Sequence, residues 1–138
     1  MSQSSTVELY NGDLPPGRFS AKAIAVDTET LGLNPHRDRL CLVQLSDGDG
    51  TAALVQITPG ADAPELKRLL ADASVLKIFH YARFDVAVLK HHLGVDTAPI
   101  YCTKIASKLA RTYTDRHGLK DLCREVLGIE LSKQQQSS

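Results

Sequence analysis

From Val7 to Ile57, apolar and polar positions alternate in short runs that predict mainly strands. Ala23–Asp27 is a compact apolar run, Leu40–Leu45 is rich in strand formers, and Thr51–Ile57 follows the turn signal Asp47–Gly50. Three strands on short links predict an antiparallel meander. The link 32–38 is polar and carries Pro35, so it reads as a loop. After Pro59 and Gly60 the period becomes helical: Pro64 suits a first turn, and Leu66, Leu69 and Leu70 share one face. Val75–Phe79 predicts another strand. Ala82–His92 predicts a helix with Phe84, Val88 and Leu89 inward and its end at Gly94. Alternation of strand and helix implies parallel pairing in this half. Further helices are predicted over Thr103–Arg111 and from about His117 to Leu127, stopping at Gly128.

A chain of 138 residues, 43% hydrophobic, makes one compact domain with a single core. Its formal net charge is zero, which excludes the global positive field by which many proteins attract phosphates. The stretch Lys104–Lys133 has a local basic bias, with seven Lys or Arg against four acids, which a solvated helix face explains equally well. Cys41, Cys102 and Cys123 are an odd number at wide spacing, against both a disulfide framework and a zinc site, and each is expected as a small buried residue. No apolar run reaches the length of a signal peptide or membrane span, so a reducing cytoplasm is the expected setting and a membrane partner is not expected.

The chemistry centres on three acids. Asp27 and Glu29 close an apolar strand two positions apart, so alternation points both carboxylates to one side. Taken alone, such a pair reads as the polar turn leaving a strand; taken as a site, it suits a divalent cation with hard oxygen ligands. Asp85 follows the strand ending at His80 and opens a helix, where a carboxylate can be aimed across the sheet end. His80 is placed beside Asp85 as a substrate contact or as a structural side chain, and Tyr81 and Phe84 could stack on a base or belong to the core. His36, His91, His92 and His117 show no ligand spacing with one another.

Ala23–Thr30 and Phe79–Leu89 resemble the first two exonuclease motifs of the DEDD superfamily, and Leu40–Ser46 and Gly118–Gly128 with Lys133 resemble its ribonuclease D, tyrosine-type branch. The resemblance implies a ribonuclease H-like α/β fold, in which an antiparallel meander is followed by parallel strands in one mixed sheet flanked by helices. It makes Asp27, Glu29 and Asp85 three of four catalytic metal-binding acids, holding two divalent ions, Mg²⁺ or Mn²⁺. Thr28, Thr30 and Leu31 beside the acid pair, with His80, Tyr81 and Phe84, are the expected substrate contacts. The implied reaction is hydrolysis of terminal phosphodiesters from the 3′ end of RNA, or of single-stranded DNA, releasing nucleoside 5′-monophosphates. The branch's third motif, Tyr-x-x-x-Asp, does not occur downstream of Asp85, so residues 1–138 are expected to form an exonuclease domain incomplete at its C-terminus. Two other classes stay open: a non-catalytic nucleic-acid-binding module and an unrelated metal-dependent phosphohydrolase.

Overall fold

The structure, a computed structural model, describes residues 6–104. The chain runs β1 (Thr6–Asn11), β2 (Ala23–Thr30), β3 (Leu40–Ser46), β4 (Thr51–Gln56), α1 (Pro64–Ala71), β5 (Leu76–Phe79), α2 (Ala82–Leu93) and β6 (Ile100–Cys102). The six strands form one mixed sheet in the order β1-β4-β3-β2-β5-β6. The predicted meander is β2-β3-β4, paired antiparallel. The later strands pair parallel, β5 on β2 and β6 on β5, and β1 extends the other edge in parallel with β4. This is the ribonuclease H-like mixed sheet that the motifs imply.

Strand β6 lies where no strand is predicted, because three residues between Pro99 and the next helical positions are too few to show a period. Of the helix predicted from Thr103, only Thr103 and Lys104 fall within the described residues; that predicted over 117–127 lies outside them, as does Cys123. Cys41 and Cys102 are half-buried free thiols rather than core residues, Cys102 packing against the core from the edge strand.

One face of the sheet is buried by alternation. Ile24 and Val26 of β2, Val43 and Leu45 of β3, Ala53 and Val55 of β4 and Phe79 of β5 all turn inward. They meet Leu66 and Leu70 from α1 and Val88, Leu89 and Leu93 from α2, all buried, with Leu69 and Phe84 half-buried at the margin. Each side chain of this size contributes about 1.5–3 kcal/mol on burial, so the layer fixes both helices against the sheet. Helix α2 ends at Gly94, whose φ of 70° lets the last turn close on Lys90 O.

Two polar devices hold the helices' connections. Helix α1 has Ala63 at its N-cap, with no side chain to accept from the first turn. Asp13, in the loop after β1, replaces it: its Oδ2 accepts from Glu65 N at 3.0 Å and its Oδ1 from Leu66 N at 2.8 Å. Lys77 sits on the buried face of β5, fully enclosed. Its Nζ donates to Asp72 O and Val75 O, each at 2.6 Å, and to Ala98 O at 2.7 Å, which uses all three ammonium donors.

Candidate active site

Asp27 and Glu29 occupy the C-terminal half of β2, at the sheet's centre, where parallel β5 ends beside them. The β2–β3 register breaks between Glu29 and Thr30: Glu29 opposes Leu42 and Thr30 opposes Leu40, leaving Cys41 as the extra residue. Such a bulge bends the bulged strand, here β3, and increases the local twist beside the acid pair. The chain then enters the 31–39 loop, where Asn34 N donates to Asp38 Oδ2 at 2.8 Å and Asp38 N to Asn34 O at 2.8 Å. A Cβ on Gly32 would lie 2.3 Å from Asp38 Oδ2, so a larger residue here would push the Asp38 side chain from its place.

Asp85 comes from the first turn of α2 and is buried. Thr28, between the two strand acids, points to the helix side and donates its hydroxyl to Asp85 Oδ1. Thr28, expected as a substrate contact, is buried with its hydroxyl on Asp85, because alternation turns it to the face opposite Asp27 and Glu29. The strand's period carried this signal, since a residue between two outward acids must face inward.

The three carboxylates lie within one another's field. Burial, then the Asp27 charge, holds the Glu29 carboxyl above its ordinary range. Burial pushes Asp85 up to about 7; hydrogen bonding from Thr28 opposes this and the charges of Asp27 and Glu29 add to it. Glu29 Oε1 is buried with no hydrogen-bond partner among the described residues. Hard oxygen donors, mutual repulsion and an orphaned carboxylate oxygen suit a divalent cation. Among the described residues no group of three His, Cys, Asp or Glu is already drawn together as around a bound ion, and Asp85 is engaged by Thr28.

The other expected contacts separate into two sets. Leu31 is 71% exposed beside the acid pair, and Thr30 donates to Gly32 O, bracing the turn that presents it. Tyr81, 47% exposed, holds φ 119° at the N-cap of α2, a strained value for a non-glycine residue, and Lys104 Nζ lies 4.4 Å from its ring centroid. Phe84 packs instead on the core margin, because the first turn of α2 lays it over the sheet. His80 Nδ1 makes a 2.8 Å hydrogen bond with the Thr103 hydroxyl, a partner that the sequence pattern did not single out.

The 3′-5′ exonuclease family profile matches residues 18–138. Ribonuclease D of Zymomonas mobilis is 34% identical over 114 residues, which cover 82% of this chain and 29% of that protein. Among solved structures, Brucella melitensis NrnC with bound Mg²⁺ superposes with a TM-score of 0.89 at 57% identity, over 92% of this chain and 64% of that one. The same protein bound to pGG gives 0.90 at 57% identity, over 97% and 67%. Escherichia coli RNase D gives 0.66 at 32% identity, over 81% of this chain and 29% of that one. The chain thus spans under a third of the ribonuclease D proteins and about two thirds of NrnC. On the match across residues 18–138 and these likenesses, the chain belongs to the 3′-5′ exonuclease family, among its ribonuclease D-like members.

Proposed function

We propose that this chain carries the core of a metal-dependent exonuclease that hydrolyses the terminal phosphodiester at the 3′ end of RNA and releases nucleoside 5′-monophosphates. The observation that carries the reading is the acid pair at the end of β2, opposite the bulge in β3, with buried Asp85 inside its field. The bound Mg²⁺ and the pGG of the NrnC structures support a divalent cofactor and a short RNA substrate.

In this reading Asp27, Glu29 and Asp85 would hold Mg²⁺ or Mn²⁺, and the buried Glu29 Oε1, without a hydrogen-bond partner among the described residues, fits that role. Divalent ions held there would supply Lewis-acid activation of the attacking water and charge stabilisation at the departing 3′ oxygen. Thr28 positions Asp85 and favours its ionised form, the form able to ligate. Leu31 offers an apolar surface to the terminal base, and the ring of Tyr81 offers a stacking face.

The test is release of mononucleotides from pGG and from a 3′-labelled RNA, with DNA of the same sequence as comparison, in Mg²⁺ or Mn²⁺. Asp27→Asn and Glu29→Gln are expected to lower the rate by about two orders of magnitude or more. Unchanged rates in both variants, or no metal-dependent release from any substrate, would sink the reading.

A further inference from the structure

The consecutive side chains of Cys102, Thr103 and Lys104 close on the turn that joins β5 to α2. Cys102 Sγ accepts from Ala82 N at 3.4 Å, and the Thr103 hydroxyl donates to Phe79 O at 3.3 Å and shares a 2.8 Å hydrogen bond with His80 Nδ1. Lys104 Nζ lies 4.4 Å from the centroid of the Tyr81 ring. The turn they hold is strained. Tyr81 has φ 119° and ψ 63°, a conformation that glycine adopts freely and a residue with a Cβ resists. Strain of this kind persists only where the surroundings over-determine it, as the contacts from 102–104 do. Burial of the ring does not offset it: Tyr81 is 47% exposed and is not among the described side chains packed on the core. Glycine would suit this backbone better, so what tyrosine adds is a half-exposed ring fixed in one place.

Tyr81 stands one helical turn before Asp85, at the end of α2 that carries the buried acid. An aromatic ring on a rigid turn stacks a nucleobase whatever the sequence, because every base has a π face. An ammonium over one face of that ring restrains its rotation and leaves the opposite face to the base. We propose that Lys104 is a positioning residue: it clamps the Tyr81 ring so that the ring stacks on a nucleobase of the RNA held beside the acid pair. This rests on the exonuclease reading above and assigns to that site the pair of residues that orders its base contact.

The experiment pairs affinity with stability: calorimetric titration with pGG, with Ca²⁺ in place of Mg²⁺ to slow cleavage, and urea unfolding of the same proteins in EDTA. Tyr81→Gly and Tyr81→Ala both remove the ring, and each is expected to weaken pGG binding about ten-fold. Only glycine also releases the backbone, so Tyr81→Gly should unfold at a higher urea midpoint than Tyr81→Ala and no earlier than the parent. A ring with a merely structural role would lower affinity and stability together. Lys104→Gln is expected to weaken pGG binding about three-fold, and Lys104→Arg, which keeps a cation over the ring, to restore it. Affinity unchanged in Tyr81→Gly or in Lys104→Gln, or a Tyr81→Gly protein that unfolds earlier than the parent, overturns the proposal and leaves the exonuclease reading standing. A parent chain that binds no pGG overturns both.

Discussion

Thr28 donates its hydroxyl to Asp85 across 57 positions of sequence, joining the centre of the acid-bearing strand to the first turn of α2. The bond favours the ionised carboxylate against burial, which pushes the other way. Thr28→Val, which keeps shape and loses the donor, is expected to raise the Asp85 pKa further. The rising limb of the pH–rate profile for mononucleotide release should move to higher pH, with the plateau down about ten-fold, the value of one charge-assisted bond. Thr28→Ser should restore both. A profile unmoved by Thr28→Val would show that the bond does not act on Asp85.

Asp85 makes stability without metal depend on pH. Its carboxyl, at 3.8 in the unfolded chain and about 7 when folded, takes up a proton on folding between those values. Stability therefore falls as pH rises from about 4 to 7 and stays low above, by up to about 4 kcal/mol. Asp85→Asn is expected to flatten this slope and to be more stable than the parent at pH 8, while losing activity by orders of magnitude. Urea unfolding of both proteins at pH 5 and pH 8 in EDTA measures it. Parallel slopes would place the proton elsewhere.

Lys77 is a tie between backbone segments rather than a functional cation. Lys77→Met fills similar volume but leaves the carbonyls of Asp72, Val75 and Ala98 without their donor. The expected loss is about 3 kcal/mol. Lys67→Met, which breaks only the exposed pair with Asp62, should cost less than about 1 kcal/mol. Equal urea midpoints for the two variants would refute the distinction.

Asp13→Ala removes the acceptor for Glu65 N and Leu66 N and is expected to destabilise the protein by about 1–2 kcal/mol, whereas Asp13→Asn retains most of the cap. Thermal unfolding of the three proteins decides. A midpoint for Asp13→Ala equal to the parent's would mean that water caps α1 equally well.

What the sequence made legible is what local rules carry. Alternation located β2, β3 and β4, the helical period with Pro64 and Gly94 located α1 and α2, and the strand-end acids with the helix-opening Asp85 pointed to the candidate site. What it hid depends on the third dimension. Lys77 in a four-residue strand reads as an outward cation until its three carbonyl partners are brought to it. Thr28 stands in a motif of outward acids yet faces inward. His36 and His91, with no shared spacing, meet edge to edge because the 31–39 loop folds back onto α2.

The cap that Asp13 supplies also bears on the order in which the chain folds. A helix of eight residues is too short to hold alone in water, and α1 has no acceptor of its own at its first turn. Its missing partner lies 52 positions upstream, just after a strand that pairs, among the described residues, with β4 alone. Docking of β1 against β4 therefore sets Asp13 in place before α1 can be completed, and the helix inherits the kinetics of a long-range sheet contact. In native-state hydrogen exchange the first amides of α1 should open together with β1, as one cooperative unit, rather than with the rest of the helical layer.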